Sequence, residues 1–211
     1  MNEAEAESAD RHAPNRPLQP TSGVARSWRV EPAGERRSRL SGGALGVTMS
    51  VLPDVLASNL DIIFCGTAVS KASAHRGAYY AGPGNAFWPT LHKVGLTPRQ
   101  FMPSDYKRLI QCRMGLTDLA KRISGNDRVL GRNAFDCDRL RALIREHRPR
   151  IVAFTSKRAA REFVGRRVEY GRLPEKEGDT ILFVLPSPSA AARRYWSEKP
   201  WRELNRLRNR R

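Results

Sequence analysis

Residues 81–88 read Ala-Gly-Pro-Gly-Asn-Ala-Phe-Trp, and the expected fold and binding site both follow from this stretch. Its Gly-Pro-Gly turn leads directly into a predicted helix that two aromatic side chains anchor. An apolar run typical of a buried strand, Asp61-Ile-Ile-Phe-Cys-Gly66, comes before it. Glycines let the backbone approach a bound group closely, and the first turn of a helix presents unpaired amides to it. The pattern therefore predicts a ligand site beyond the end of a strand.

A second loop of the same kind follows another apolar run. Thr180-Ile-Leu-Phe-Val-Leu185 is typical of a strand, and the loop Leu185-Pro-Ser-Pro-Ser-Ala-Ala-Ala-Arg-Arg194 leaves its end. In open α/β sheets, ligands bind beyond the carboxyl ends of the strands. We therefore expect the two loops to line one pocket.

Strand-like and helix-like segments alternate along the rest of the chain. Such alternation predicts a parallel sheet covered by helices on both faces. Leu140, Leu143 and Ile144 mark the buried face of one helix, and Pro149 ends it before the next strand. The predicted strands cover 61–66, 150–155 and 180–185, and the predicted helices cover 86–95, 103–113, 136–147, 156–165 and 199–209.

The chain is strongly basic, with a formal net charge of +17 over 211 residues. Residues 1–50 hold seven arginines against six acidic residues, so about +16 belongs to residues 51–211. A surface of this charge favours a nucleic-acid partner, because binding releases counterions from the phosphates. A basic surface that only keeps the protein in solution is the alternative. No Walker loop or Gly-x-Gly-x-x-Gly fingerprint supports a third class, an unrelated nucleotide-binding enzyme.

The first 50 residues lack the periodic aliphatic pattern of a folded segment. Their composition buries too little apolar surface to offset the entropy of ordering. We expect residues 1–50 to be a disordered arm and residues 51–211 to be the folded domain, with Met49 as an alternative start. The sequence has no apolar run of membrane-spanning length and no signal peptide, which favours a cytoplasmic protein without a membrane partner.

Metal and redox centres are not expected from the cysteine pattern. Cys65, Cys112 and Cys137 form no Cys-x-x-Cys pair, and the four histidines are not grouped. This spacing argues against zinc and iron–sulfur sites, and the odd cysteine count argues against a disulfide framework. We therefore expect reduced thiols, no metal and no other cofactor.

Several motifs, in order along the chain, carry a resemblance to a known family. They are Phe64-Cys-Gly66, Tyr80 with Gly82-Pro-Gly-Asn-Ala-Phe-Trp88, Gly115-Leu-Thr-Asp-Leu119 and Leu185-Pro-Ser-Pro-Ser189. From about residue 60 to 208, this order resembles the uracil-DNA glycosylase superfamily, most closely its mismatch-specific uracil and thymine branch. The resemblance implies a three-layer α/β/α fold with a central, mostly parallel four-stranded sheet. It also implies a monomeric, monofunctional enzyme that flips uracil out of double-stranded DNA and hydrolyses its bond to deoxyribose, leaving an abasic site.

The resemblance assigns several residues to the base pocket. Tyr80 matches the aromatic residue that stacks on the base, and Gly66 and Ser73 match positions that line the pocket. Asn85 can read the base edge through its amide, or it can cap the helix that follows. Ordinary packing is the alternative for Tyr80, and a solvated serine is the alternative for Ser73.

One motif departs from the family at its catalytic asparagine. In the branch that the chain resembles, the strand is followed by Gly-Ile-Asn-Pro-Gly, whereas this chain reads Gly66-Thr-Ala-Val-Ser70. The methyl group of Ala68 cannot hold the attacking water. Either another group assists the water while stabilisation of the uracil anion lowers the main barrier, or the chain binds uracil or abasic DNA without turnover. The candidates for holding the water are Thr67, Ser70, His75 and Asn85.

The second loop departs from the family at its wedge residue. The resemblance implies a bulky side chain at the position of Ala191, and alanine is too small to fill an emptied base stack. We expect Arg193, Arg194 or Tyr195 to enter the duplex instead. The predicted phosphate contacts are Ser187, Ser189 and, in the first loop, Lys71.

Lys71 has an alternative role, and the last residues of the chain carry a further prediction. The Lys71 amine could attack the sugar carbon and form a Schiff base, which is the alternative to a phosphate contact. Trp201, Leu204 and Leu207 suit one buried face of the last helix. We expect residues 208–211 to be a solvated extension that contributes to DNA affinity more than to stability.

Overall fold

The computed structural model describes residues 51–125 and 130–210, and the predicted N-terminal arm lies outside these ranges. A five-stranded sheet forms the centre of the fold, in the order β2-β1-β3-β5-β4. β1, β2, β3 and β5 run parallel, and β4 pairs antiparallel with β5, which confirms the predicted α/β class. The strands are β1 (Ile62–Ala68), β2 (Met114–Ala120), β3 (Ile151–Phe154), β4 (Gly171–Glu177) and β5 (Thr180–Val184).

Short polar side chains fix where three of the helices begin. The side chains of Ser70, Asp136 and Ser156 each accept a hydrogen bond from an amide of the first helical turn. Within the described residues, no helix is both long and apolar enough to cross a bilayer. The helices are α1 (Lys71–His75), α2 (Phe87–Lys93), α3 (Cys137–His147), α4 (Lys157–Val164) and α5 (Lys199–Asn209), and 3-10 segments cover Pro103–Cys112, Arg132–Ala134 and Ala190–Tyr195.

The sheet separates two apolar cores. On one face, Phe64 of β1 packs against Phe87 of α2 and Trp201 of α5, with ring centroids 5.2 and 6.1 Å apart. On the other face, Phe154 of β3 lies 5.3 Å from Phe163 of α4. Both faces of the central strands are buried, which is why these strands read as unbroken apolar runs. The fold is therefore three-layered, as expected, with α2 and α5 on one side and α3 and α4 on the other.

The expected number of strands was wrong: the sheet has five strands rather than four. β2 lies where a loop was expected, because Gly115, Thr117 and Asp118 interrupt its apolar pattern even though the whole strand is buried. β4 is an edge strand whose exposed positions include Arg172, Pro174 and Lys176. A polar edge of this kind carries little of the hydrophobic signal that marks an interior strand.

The amino end of β1 is held by a cluster of arginines around Asp61. The Asp61 carboxylate pairs with Arg113, Arg150 and Arg208 at 3.2, 3.6 and 3.3 Å. Burial raises the pKa of Asp61, but the guanidinium groups of Arg113 and Arg208 outweigh this effect and hold the pKa below its usual value. The cluster joins β1 to the segment before β2, the segment before β3 and the end of α5.

Arg208 is therefore not part of a solvated extension, and that expectation was wrong. Its side chain is only 18% exposed. Besides pairing with Asp61, it donates to the main-chain carbonyls of Leu96 and Cys112 at 3.1 and 2.6 Å. Arg150 in turn donates to the carbonyls of Arg208 and Arg210, at 3.0 and 2.8 Å. The end of α5 is built into the domain.

Candidate functional site

A cavity of about 640 Å³ opens beyond the carboxyl ends of β1, β2 and β3. Its volume falls within the range of about 300–1,000 Å³ typical of small-molecule sites. Gly82 and Asn85 from the turn before α2 line it, together with Ser187 and Ala191 from the loop after β5. The two loops that the sequence singled out therefore meet at one cavity.

Asp118 of β2 contributes a buried carboxyl group to the cavity wall. The residue is only 3% exposed, and its Oδ2 has no hydrogen-bond partner among the described residues. It lies directly opposite Gly66 in the parallel register of β1 and β2. A Cβ atom at Gly66 would overlap Oδ1 of Asp118, so the glycine makes room for the carboxyl group. A buried polar atom without a hydrogen-bond partner is rare in folded proteins, which marks this carboxyl group as a candidate for function.

Burial raises the pKa of Asp118 to about 7, because the ionised form loses its hydration. The positive charge of Lys121 opposes this rise, and the negative charge of Asp54 adds to it. Arg139 and the Tyr79 hydroxyl favour the ionised form to a lesser degree. Near neutral pH, both protonation states of the carboxyl are populated. A carboxyl group tuned in this way can serve as a general base.

A network of charged and polar groups stands behind this wall. The Asp54 carboxylate accepts hydrogen bonds from Thr117 at 2.7 Å and from Arg139 at 2.7 Å. It also pairs with the Lys121 ammonium group at 2.9 Å. Lys121 donates a second hydrogen bond to the Tyr79 hydroxyl at 2.9 Å. Of these residues, Tyr79 lines the cavity itself.

Tyr80 forms an aromatic part of the cavity lining. Its ring stacks on Phe87, with centroids 3.8 Å apart and planes inclined by 14°. Its hydroxyl is 3.2 Å from the Thr155 hydroxyl. The backbone of Tyr80 adopts a left-handed conformation, with φ of 53°, which is uncommon for a residue other than glycine. The ring is thus held in a fixed position, as a stacking platform for a base requires.

Asn85 and two serines shape the first loop. Oδ1 of Asn85 accepts from the amide of Phe87, the first residue of α2, at 3.0 Å, and the amide nitrogen is left for a ligand. The cap position itself is Ala86, so Asn85 stands one residue before the expected cap. Ser73 is buried, and its hydroxyl accepts from the amide of Ala81 at 3.0 Å, so it is not a solvated serine. The Ser70 hydroxyl caps α1 and contacts the Ser73 hydroxyl at 3.0 Å. Asn85, Ser70 and Ser73 all line the cavity.

The remaining candidates of the first motif divide into two groups. Thr67 and Ala68 line the cavity, although the Thr67 hydroxyl already lies 3.1 Å from that of Ser156. Lys71 and His75 are exposed on α1 and are not among the lining residues. His75 as the water-holding residue and Lys71 as a Schiff-base nucleophile therefore both lack support. The reason is that α1 turns both side chains away from the ends of the strands.

The second loop places small residues at the cavity and cations beside it. Ser187, Ser189 and Ala191 line the cavity together with Tyr195, which is 59% exposed. Arg193 is exposed and donates to the carbonyl of Gly84 at 3.2 Å, which joins the two loops. The Arg194 guanidinium lies 4.6 Å from the centre of the Tyr195 ring.

The sequence reasoning missed Asp118, Tyr79, Thr155 and Ser156 as cavity residues. For Asp118 a signal existed, because it is the one charged residue in the run Met114-Gly-Leu-Thr-Asp-Leu-Ala120. Burying a carboxylate in a strand costs free energy of folding, so such a residue is expected to have a function that outweighs this cost. For the other residues no such signal existed, because serine, threonine and tyrosine are common at strand ends and in loops.

Comparisons with known proteins place the chain in a family and agree with its fold. The model of the Uracil DNA glycosylase superfamily matches residues 53–208. Among solved structures, the chain is similar to the solution NMR structure of a candidate uracil DNA glycosylase from Methanosarcina acetivorans. The two sequences are 24% identical, the match covers 76% of this chain and 96% of that chain, and the TM-score is 0.50. At this level of identity, the likeness concerns the fold.

Proposed function

The chain belongs to the uracil DNA glycosylase superfamily, and from this premise we propose that it hydrolyses the N-glycosidic bond of uracil flipped out of duplex DNA. The products are free uracil and an abasic site. The observation that carries the proposal is Asp118, a buried carboxyl group in the wall of the cavity. We also assign the chain to the mismatch-specific uracil and thymine branch, on the resemblance of residues 82–88.

Binding of the flipped base is assigned to the first loop and its surroundings. Tyr80 supplies the stacking face, because its ring is fixed against Phe87. The side-chain oxygen of Asn85 accepts a hydrogen bond from the backbone, which leaves the side-chain amide nitrogen as a donor. We assign this donor to the edge of the base. Gly66 leaves space for the Asp118 carboxyl group. Ser73 fixes the first loop through its hydrogen bond with the Ala81 amide.

The chemistry requires one bond to break and one to form. The bond between the base nitrogen and C1′ of the sugar breaks, and its electron pair leaves with uracil, which then takes a proton from solvent. Water adds to C1′, and ionised Asp118 accepts the proton that this water loses. General-base assistance of this kind contributes roughly 10²–10⁴-fold to the rate. Asp118 thus takes the role that Ala68 cannot fill.

Strand pairing supports this exchange of roles between β1 and β2. Gly66 is paired with Asp118, and Ala68 is paired with Ala120, so the carboxyl group lies on the strand next to the vacant position. Ala68, Gly66 and Asp118 all line the same cavity. We therefore assign the activation of a water molecule in that cavity to the carboxylate of the neighbouring strand.

DNA binding is assigned to the second loop and to the positive charge of the chain. Ser187 and Ser189 contact the phosphates beside the flipped nucleotide, and Arg193 and Arg194 add charge at the same rim. Lys71, exposed at the start of α1, is a further phosphate contact. Since Ala191 is too small to act as a wedge, we assign the filling of the emptied stack to Tyr195.

Ala68 favours a second candidate function. A protein without the family asparagine could bind uracil or abasic sites in DNA without turnover. The two candidates share the cavity and the basic surface, and they differ in whether Asp118 supports cleavage.

A single-turnover experiment distinguishes them. Excess protein is incubated with a labelled duplex that contains one uracil, and alkali then cleaves the strand at abasic sites. We expect the wild-type rate to rise about tenfold per pH unit below pH 7 and to level off above it, because the ionised carboxyl is the active form. Asp118→Asn should lower the rate by about 10²-fold or more and remove this pH dependence.

Controls make the result specific. Asp138→Asn removes a carboxylate that is 97% exposed on α3, and it should leave the rate unchanged. Adding Ala68→Asn to Asp118→Asn restores the asparagine of the family and should recover part of the rate. Cleavage by Asp118→Asn at the wild-type rate would remove Asp118 from the mechanism. Tight uracil-specific binding without cleavage by the wild type would establish the second candidate.

A further inference from the structure

Lys121 is a buried cation beside the cavity wall. Its side chain is only 9% exposed, and it is not among the residues that line the cavity. It follows β2 directly, so its main chain is fixed close to Asp118. The ammonium group is therefore placed near the carboxyl group without facing the ligand, and its effect on the reaction must pass through other groups.

The position of Lys121 is fixed by Asp54. The Asp54 carboxylate pairs with Lys121 at 2.9 Å, and Thr117 and Arg139 hold the same carboxylate at 2.7 Å each. Arg139 also donates to the main-chain carbonyl of Asp118 at 2.5 Å. The end of β2 and the ammonium group are thus held by one network, which reduces the freedom of Lys121 to move away.

Tyr79 connects Lys121 to the cavity. Its hydroxyl oxygen accepts a hydrogen bond from Lys121 at 2.9 Å, and its main-chain carbonyl accepts from the Trp88 indole at 3.0 Å. A phenol whose oxygen is occupied by an ammonium donor has its own proton free for another acceptor. Burial raises the pKa of Tyr79, so this proton stays on the hydroxyl. Tyr79 and Asp118 line the same cavity, and hydrogen bonding by Tyr79 is one of the effects that lower the pKa of the Asp118 carboxyl group.

We propose that Lys121 is a positioning residue that acts through Tyr79 to hold Asp118 in its ionised state, an inference that rests on the proposed function. Lys121 directs the Tyr79 proton towards the carboxylate and supplies the positive charge that offsets burial. The charge of Arg139 also lowers the pKa of Asp118, whereas the charge of Asp54 raises it. Two further titratable neighbours, Tyr80 and Cys65, have a pKa raised by burial and remain protonated.

The test is the pH profile of single-turnover cleavage by Lys121→Met between pH 5.5 and about 9. Loss of the positive charge should move the midpoint upward by about one pH unit, so that the variant is about tenfold slower at low pH and approaches the wild type at high pH. Lys121→Arg should keep the wild-type midpoint, and Tyr79→Phe should shift it in the same direction as Lys121→Met.

Lys107→Met is the matched control. Lys107 lies over the ring of Tyr106 as Lys121 lies over the ring of Tyr79, but Lys107 is exposed and is not among the cavity-lining residues. A rate that falls equally at every pH, with the midpoint unchanged, would mean a merely structural role and would overturn the inference.

A direct titration separates this inference from the proposed reaction. With ¹³C at the side-chain carboxyl of aspartate, the Asp118 signal can be assigned by its loss in Asp118→Asn and followed by NMR against pH. We expect its midpoint to be higher in Lys121→Met than in the wild type and unchanged in Lys107→Met. An equal midpoint in all three proteins would refute the role of Lys121. If the midpoint is higher in Lys121→Met than in the wild type but the wild type cleaves no uracil DNA, the proposed reaction is refuted and the electrostatic coupling is upheld.

Discussion

Asp118 lies in the wall of the cavity, where burial makes its negative charge unfavourable for folding. Burial raises its pKa to about 7 from a value of 3.8 for the free side chain. The folded state therefore binds a proton more tightly than the unfolded state does. The stability linked to this proton is fully present below pH 4, is lost as the pH rises towards 7, and stays constant above that.

This linkage gives a prediction for Asp118→Asn. The variant carries no charge at this position, so its free energy of unfolding relative to the wild type should increase between pH 5 and pH 7 by about 2 kcal/mol, at 1.36 kcal/mol per pKa unit. Urea unfolding at pH 5, 6, 7 and 8 measures the difference, and no further gain is expected from pH 7 to 8. A difference that does not change with pH would show that the carboxyl titrates at its ordinary value.

The replacement of the family asparagine could be predicted only in part. The absence of a water-holding side chain at Ala68 is visible in the sequence, because the motif around it is otherwise in register. The presence of Asp118 nearby is not, because it depends on the pairing of β2 with β1. Pairing of distant strands is a property of the fold, and no local pattern encodes it.

Among the elements, the interior strands were predictable and the others were not. β1, β3 and β5 are apolar runs buried on both faces, and their predicted positions agree with the structure to within two residues at each end. β2 is equally buried but contains Gly115, Thr117 and Asp118, so its pattern resembles a loop. Of these residues, Asp118 lines the cavity, and Gly115 makes room for the main chain of Val55, so the strand pattern is interrupted for reasons of function and of packing.

The first loop was predicted as a site, but the direction of α1 was not. A five-residue helix capped by Ser70 turns Lys71 and His75 to solvent. The hydroxyl that marks the cap is a local signal, whereas the face that the helix exposes depends on the burial of Ser73 and on the packing of Ala74 against the core. The sequence therefore did not reveal that His75, a candidate for holding the water, lies outside the cavity lining.

The 3-10 segment after Ser189 gives a prediction about base flipping. Tyr195 is the large exposed side chain of this segment that lines the cavity, and it follows Arg194 at the end of the segment. Tyr195→Ala should slow single-turnover cleavage about tenfold, because filling a vacated stack with an aromatic ring is worth roughly 1–3 kcal/mol. Fluorescence of 2-aminopurine placed beside the uracil reports the unstacking, and its increase on binding should be smaller in the variant.

Two further variants separate stacking from loss of an aromatic residue in general. Tyr195→Phe keeps the ring and should behave like the wild type. Tyr170→Ala removes a tyrosine that is 37% exposed and does not line the cavity, so its rate should not change. If Tyr195→Ala and Tyr170→Ala behave alike, Tyr195 does not enter the duplex.

For the whole molecule, the position of Arg208 predicts that part of the positive charge is structural. Arg208→Ala should lower the free energy of unfolding by about 1–3 kcal/mol, because it removes one of the three cations paired with Asp61 and leaves two carbonyls without this donor. Urea unfolding and the affinity for duplex DNA should both be measured.

Arg206→Ala is the matched control for this prediction. Arg206 lies on the same helix and carries the same charge, but it is exposed. The two variants should lose similar affinity for DNA, whereas only Arg208→Ala should lose stability. Equal unfolding midpoints for both would restore the view that the end of the chain is a solvated extension.

The arginine cluster around Asp61 divides the basic residues of this protein into two populations. Those at the rim of the cavity meet solvent, and their attraction to phosphate weakens as salt screens it. Arg113, Arg150 and Arg208 instead pair with one carboxylate and so cross-link segments that are distant in sequence. An engineer who wishes to reduce nonspecific adsorption to nucleic acid by removing charge should choose the first population, at the cost of the DNA contacts assigned to it. The same substitution in the second population would weaken the attachment of the last helix to the base of the sheet.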